Sequence, residues 1–231
     1  MGKQAKEPEQ QHYQSYTSER PDVLSKIQCE PSRVLDIGCS SGALAASLRR
    51  RFDGLTLYGI EVDEAFAKDA KRHFDSLIFA DLDQLTVSQL PRDIDTFILA
   101  DVIEHTKNPD LVLEMIRQVA APNAQLILSV PNVQHWTVIK NLLLGDWPER
   151  ERGIFDRTHL RFFTEKSLRR LFERHRISIT SFGRNYRLFD SPRYGLARLA
   201  KYFGFWPLQN FIAYQFVVAG RLSKKQCAPK E

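Results

Sequence analysis

Cysteine is scarce in these 231 residues. Cys29, Cys39 and Cys227 have no paired spacing, which argues against a disulfide framework and suits a reducing cytosol. Long apolar runs are missing too, none approaching the roughly 20 residues that cross a bilayer. The opening MGKQAKEPEQQHYQSY lacks the apolar stretch of a secretion signal, and Lys6 stands where N-myristoylation wants Ser or Thr. Internal repeats and low-complexity tracts are absent. These absences point to a soluble, cytoplasmic chain. The rest is ordinary for a globular protein, with 43% hydrophobic and 26% charged residues. The length fits one α/β domain with a full core and is short for two.

Charge is unevenly spread. Residues 1–131 carry 14 Lys and Arg against 20 Asp and Glu, a net −6, whereas residues 132–231 carry 19 against 8, a net +11. An acidic first part suits a cationic small molecule, and a basic second part suits an anionic ligand or surface. An ordinary solvated surface gives the same count.

From Arg33 onward short apolar runs alternate with longer amphipathic segments, the pattern of repeated βα units on a parallel sheet. Strands are expected at 33–37, 56–60, 77–80, 96–100, 125–130, 177–182 and 213–221. Helices are expected at 13–27, 43–52, 64–73 and 109–120, with another capped by Thr164 and running to about 175. The fold class is α/β, a Rossmann-like, mostly parallel seven-stranded sheet. Residues 1–12 read as a polar disordered tail, 13–223 as the domain, and 224–231 as a C-terminal tail. Two stretches, 131–160 and 183–212, are too long for plain connections and read as insertions. The first leaves a strand's carboxyl end, where open α/β sheets bind ligands, and is the expected substrate side.

The run Val34-Leu-Asp-Ile-Gly-Cys-Ser-Ser-Gly42 is an apolar strand ending in a glycine turn that opens a helix. Gly38 and Gly42 let the backbone approach a ligand, and the helix start offers free N–H groups. A dinucleotide fingerprint would place glycine where Ser40 stands, and Asp36 would repel a pyrophosphate. A carboxylate there suits an ammonium and a sulfonium. Three further strands also end in acids: Glu61 before Val62, Asp81 before Leu82, and Asp101 after Ala100. Each alone reads equally as a helix cap or a solvated turn.

Val-Leu-Asp-Ile-Gly-Cys-Ser-Ser-Gly, Gly-Ile-Glu, Ala-Asp-Leu and Ala-Asp-Val-Ile-Glu-His together resemble the successive S-adenosylmethionine (SAM) motifs of class I methyltransferases. The likeness runs from Tyr13 to about Arg221. It implies SAM as cofactor, with Asp36, Gly38, Ser40 and Gly42 around its methionine part and Glu61 with Val62 at the ribose. It further implies Asp81 and Leu82 at the adenine, and Ala100 and Asp101 near the sulfonium. Tyr16 and Arg20 would belong to a cap over the cofactor, Arg20 pairing its carboxylate. Cys39 reads as a small buried filler.

Of six histidines, His105, His135 and His159 are expected at the pocket, whereas His12, His73 and His175 are not. His159 and His105 are the candidate catalytic bases for an oxygen acceptor. Asp156 would orient His159 or bind a substrate hydroxyl; alternatively Asp156, Arg157 and His159 pin the insertion. Residues 131–136 and 153–164 resemble a subgroup akin to methyltransferases of methionine-biosynthesis and glycan gene clusters, and more distantly to ubiquinone-pathway O-methyltransferases. No metal-ligand set stands out from spacing, no nucleophile elbow is present, and nucleic acid is a poor substrate match.

Near the C-terminus, Leu196, Leu199, Ala200 and Phe203 have helical spacing among Arg193, Arg198 and Lys201, followed by Phe205-Trp206-Pro207. Such a helix lies on an anionic membrane face, covers the pocket, or packs in a homodimer. The expected activity is O-methyl transfer to a small-molecule, sugar or lipid-linked acceptor, an anionic one included. The alternative is a non-catalytic SAM-binding subunit that tunes another biosynthetic enzyme.

Overall fold

A computed structural model of the chain describes residues 19–187 and 206–223. Seven strands form one sheet in the order β3-β2-β1-β4-β5-β7-β6. They are β1 (Arg33–Ile37), β2 (Thr56–Glu61), β3 (Ser76–Phe79), β4 (Ile94–Ala100), β5 (Ala120–Pro131), β6 (Ile177–Tyr186) and β7 (Ala213–Leu222). Strands β1 to β5 pair in parallel, and β7 runs antiparallel between β5 and β6. The helices are α1 (Pro21–Leu24), α2 (Ala43–Arg51), α3 (Glu64–Ala70), α4 (Pro109–Val119), α5 (Trp136–Leu143), α6 (Glu165–Arg174) and α7 (Trp206–Ile212).

The period of two along each strand divides the core between the faces of the sheet. Leu35, Ile37, Phe97, Leu99, Leu126 and Leu128 pack on one side with Leu113 and Ile116 of α4 and Leu168 and Phe172 of α6. Val34, Ile98, Ile127 and Val217 pack on the other with Leu44 and Leu48 of α2 and Val23 of α1. Helix starts follow local chemistry. Asp63 accepts from Ala65 N and Phe66 N at 2.8 and 3.1 Å to start α3. Thr164 and Ser167 cap each other's backbone N–H to start α6.

Several expected boundaries move. β5 begins at Ala120 rather than 125, because Ala120 bridges Ile94 across a register shift. β6 continues past Phe182 to Tyr186, since Gly183 to Asn185 pair by backbone with β7. The second long connection therefore starts later than 183. The first connection, 131–160, contains a helix, α5. The expected N-terminal helix is, among described residues, only α1: Arg20 ahead of it takes a left-handed conformation. Tyr16, the 1–12 and 224–231 tails and the basic stretch at 193–203 lie outside the described residues. No described helix is long and apolar enough to cross a membrane.

Candidate functional site

The carboxyl ends of β1, β2 and β4 meet where the strand order reverses, the edge at which such sheets bind ligands. β1 carries Asp36 there, 2% exposed, and its Oδ2 has no hydrogen-bond partner. Burial, and then the neighbouring Glu61 charge, push the Asp36 carboxyl up to about 8 against the pull of Arg20. A buried carboxyl of this kind is neutral until a cation arrives.

The glycine turn after β1 is held by the end of β2. Gly38 N and Cys39 N both donate to Ile60 O, at 2.8 and 3.1 Å. Glu61 accepts from Ser40 N at 2.6 Å and from Val62 N and Asp63 N at 2.9 Å. Its carboxylate thus shapes both turns and, with four lone-pair sites, keeps acceptor capacity for a ligand hydroxyl. Ser40 itself has φ 48°, a left-handed conformation uncommon for a residue with a side chain. Gly38 has φ 69°, and a Cβ on it would lie 2.4 Å from Val102 Cγ2. Only glycine fits where the exit of β4 presses on this turn.

Asp81 caps a single 3-10 turn, accepting from Asp83 N at 2.9 Å, with Leu82 half-buried beside it. Val62 is largely exposed, and Cys39 is buried. Asp101, after Ala100, has φ 59° and sits in a polar network. It takes hydrogen bonds from Arg20 Nη1 (2.7 Å), Ser129 Oγ (2.9 Å) and Gln215 Nε2 (2.6 Å). Arg20 also pairs with Asp22 at 3.1 Å. Burial opposes the Arg20 charge, but Asp101 and Asp22 outweigh it and hold the guanidinium protonated. Arg20 thus reaches the ligand edge already tied to two carboxylates. Ser129 and Gln215 belong to no motif, and their part in this network follows from the pairing of β5 with β7.

The 131–160 connection is stitched to the exit of β4, where Leu160 N and Arg161 N both donate to Glu104 O at 2.9 Å. That brings His159 against His105, their ring centroids 4.7 Å apart. Burial, and then His105, hold the His159 imidazole below its ordinary value, so it is neutral at pH 7. Between them and the core lies Glu104, 1% exposed, with neither carboxylate oxygen hydrogen-bonded. Burial, and then Asp101, push its carboxyl well above the usual range. Glu104, His105 and His159 offer one ligand atom each, all within 4.8 Å of one another. Spacing could not reveal this set, because His159 comes from a different segment.

Two expectations need correction. Asp156 does not touch the His159 ring; its Oδ1 accepts from Thr158 N and Thr158 Oγ1 at 2.9 and 2.7 Å. Thr158 in turn contacts His105 Nδ1, through Oγ1 at 3.0 Å and its carbonyl at 3.2 Å. Asp156 therefore orients His105, through Thr158. His135 is fully buried rather than at the pocket. Its Nε2 donates to Arg187 O at 2.7 Å and its Nδ1 meets Thr137 Oγ1 at 2.8 Å, which fixes the start of α5.

Compared with known proteins, residues 10–176 match the family described as a methyltransferase domain. A ubiquinone biosynthesis O-methyltransferase of Hahella chejuensis (strain KCTC 2396) is 32% identical over 119 residues, 49% of each chain. The chain thus spans about half the length of the curated relatives it matches. A chain of the Haloferax volcanii complex with the Trm112 methyltransferase activator superposes with TM-score 0.64 at 14% identity, covering 94% and 93% of the two chains. Magnesium protoporphyrin IX methyltransferase of Synechocystis PCC 6803, solved with bound SAH (the demethylated cofactor, S-adenosylhomocysteine), superposes with TM-score 0.60 at 17% identity, covering 96% and 90%. At such identities the two superpositions speak for the fold.

Proposed function

The chain belongs to the methyltransferase domain family, and from that premise we propose that it transfers the methyl group of SAM to a hydroxyl oxygen of a small-molecule, sugar or lipid-linked acceptor. The observation that carries this reading is one shared edge. Asp36, buried with its Oδ2 unpartnered, stands near the end of β1 beside the Gly38 turn, and the His105–His159 pair forms at the exit of β4, whose Val102 packs on that turn. Asp36 and Ser40 receive the methionine part of SAM, Glu61 the ribose, and Asp81 with Leu82 the adenine. Asp101 and Arg20 lie by the sulfonium and carboxylate.

The reaction is an in-line displacement that depends mainly on alignment. The acceptor oxygen forms the new C–O bond as the C–S bond breaks, and the electron pair returns to sulfur as SAH leaves. The acceptor's proton is lost at the His105–His159 edge, where the neutral His159 offers a lone pair. Exposed apolar side chains on and beside the 131–160 connection support an acceptor with an apolar portion: Trp147 packs on Phe162, and Leu143 and Leu144 stand well exposed at the end of α5. The O-methyltransferase relative supports oxygen as the acceptor atom.

The Asp36 environment sets a pH test. The free chain holds a proton on Asp36 below about 8, and a bound cation expels it. The complex then holds fewer protons, so SAM affinity rises with pH, by up to about tenfold per unit between roughly pH 6 and 7.5. Calorimetry should show micromolar SAM and SAH binding with this slope, its loss in Asp36→Asn, and no binding of NAD. A flat profile in the wild-type chain, or NAD binding without SAM binding, contradicts the assignment.

A further inference from the structure

Glu104 lies where burial and the Asp101 charge outweigh the pull of Arg20 on its carboxyl. Both its oxygens are buried without a partner, and an uncompensated buried carboxylate is costly unless it is neutral or meets a cation. The side chains nearest it as ligand donors are two imidazoles. Their tautomers follow from their other contacts. His105 Nδ1 lies 3.2 Å from Thr158 O, and His159 Nδ1 lies 3.3 Å from Ile154 O. A carbonyl oxygen only accepts, so Nδ1 donates in both rings and the lone pair stands on Nε2. Thr158 Oγ1 spends its proton on Asp156 at 2.7 Å and is left to accept from His105. A backbone carbonyl or carboxylate fixing Nδ1 while Nε2 faces outward is the usual support of a metal-ligating histidine.

We propose that Glu104, His105 and His159 form a site for a divalent transition-metal cation, with coordination positions left open for the acceptor's oxygen. Two imidazoles and one carboxylate on one side of an ion are a known donor set for such cations, one that leaves exchangeable positions. The donor atoms stand within 4.8 Å of one another, and closing to the roughly 3 Å separations of ligands bound at about 2.1 Å asks for a small rotation of exposed-side imidazoles. The proposal rests on the reading of this edge as the acceptor side and changes the means of proton removal: with the cation bound, the Nε2 lone pair of His159 is held by the metal, and the proton leaves from a coordinated hydroxyl instead of passing to the imidazole. A hydroxyl bound to the cation loses its proton to water more readily than a free one. Its oxygen then takes the methyl, and the cation is neither oxidised nor reduced. The acceptor class is thereby narrowed to one with a coordinating hydroxyl.

The test is titration of the chelator-stripped full chain with Mn2+ followed by electron paramagnetic resonance, with Zn2+ as competitor and SAM calorimetry alongside. The wild-type chain should bind one Mn2+ that Zn2+ displaces. Glu104→Gln and His159→Ala should lose that binding. Thr158→Ala, at an exposed position that keeps the fold, should weaken it about 10–100-fold through the loosened His105 ring. SAM affinity should stay as in wild type in all three. Absence of stoichiometric Mn2+ binding in the wild-type chain, or unchanged binding in Glu104→Gln, overturns the site. If Mn2+ binds and SAM does not, the cation site stands and the methyltransferase reading falls.

Discussion

Replacing His159 with Ala is expected to lower turnover by about 10²–10⁴, the range for losing a group that assists removal of the acceptor's proton, as base or as cation ligand, while leaving SAM affinity nearly unchanged. The imidazole is half-buried beside His105 and neutral near pH 7. The loss should therefore appear in kcat. Thermal unfolding decides the competing explanation. The insertion is fastened by backbone bonds from Leu160 and Arg161 to Glu104 O and by Asp156 on Thr158, to which the His159 ring adds a single bond, Nδ1 to Ile154 O at 3.3 Å. A variant that melts much earlier than wild type would instead make His159 a pin for the insertion. His105→Ala should cost less in rate, and a larger loss there would move the principal role to His105.

Asp36→Ala and Glu61→Ala should each weaken SAM roughly ten- to hundredfold, since a hydrogen bond to a charged group contributes about 1.5–3 kcal/mol. The two act differently. Glu61 also holds Ser40 N, Val62 N and Asp63 N, so Glu61→Ala loosens both turns and should lower thermal stability as well as affinity. Asp36 makes no such backbone bonds. Its raised folded value means that stability associated with its proton is present below the unfolded carboxyl range and is lost as pH rises towards about 8. Asp36→Asn should thus leave the ligand-free chain as stable as wild type, or more so near pH 8, and still bind SAM poorly. Normal SAM binding by both variants would mean that the cofactor sits elsewhere.

The parallel core of the sheet was legible because its strands are buried on both faces and read as unbroken apolar runs: Val34-Leu35, Phe97 to Leu99, Leu126 to Leu128. The edges were not. β6 continues through Gly183, Arg184 and Asn185, residues with no strand pattern, because β7 supplies backbone partners. α5 stayed hidden inside a connection whose length suggested only an insertion. At the site, acids ending consecutive strands were visible as chemistry, and their positions at one edge follow from the parallel order. The burial of Glu104 was not visible, since it comes from the insertion folding back on the β4 exit. Thr158 carries no motif, so the Asp156–Thr158–His105 relay had no sequence signal. His135 shows the opposite failure, a histidine beside the predicted pocket that is spent on capping a helix.

Mass spectrometry with methyl-labelled SAM asks whether this chain transfers a methyl group. The full chain would be incubated with labelled SAM and a fractionated small-molecule and lipid extract. S-adenosylhomocysteine should accumulate together with an acceptor that carries the label on oxygen, both strongly reduced with His159→Ala. Tight SAM binding with no labelled acceptor in any fraction would contradict methyl transfer by this chain, and would instead favour a SAM-binding subunit that acts on another enzyme.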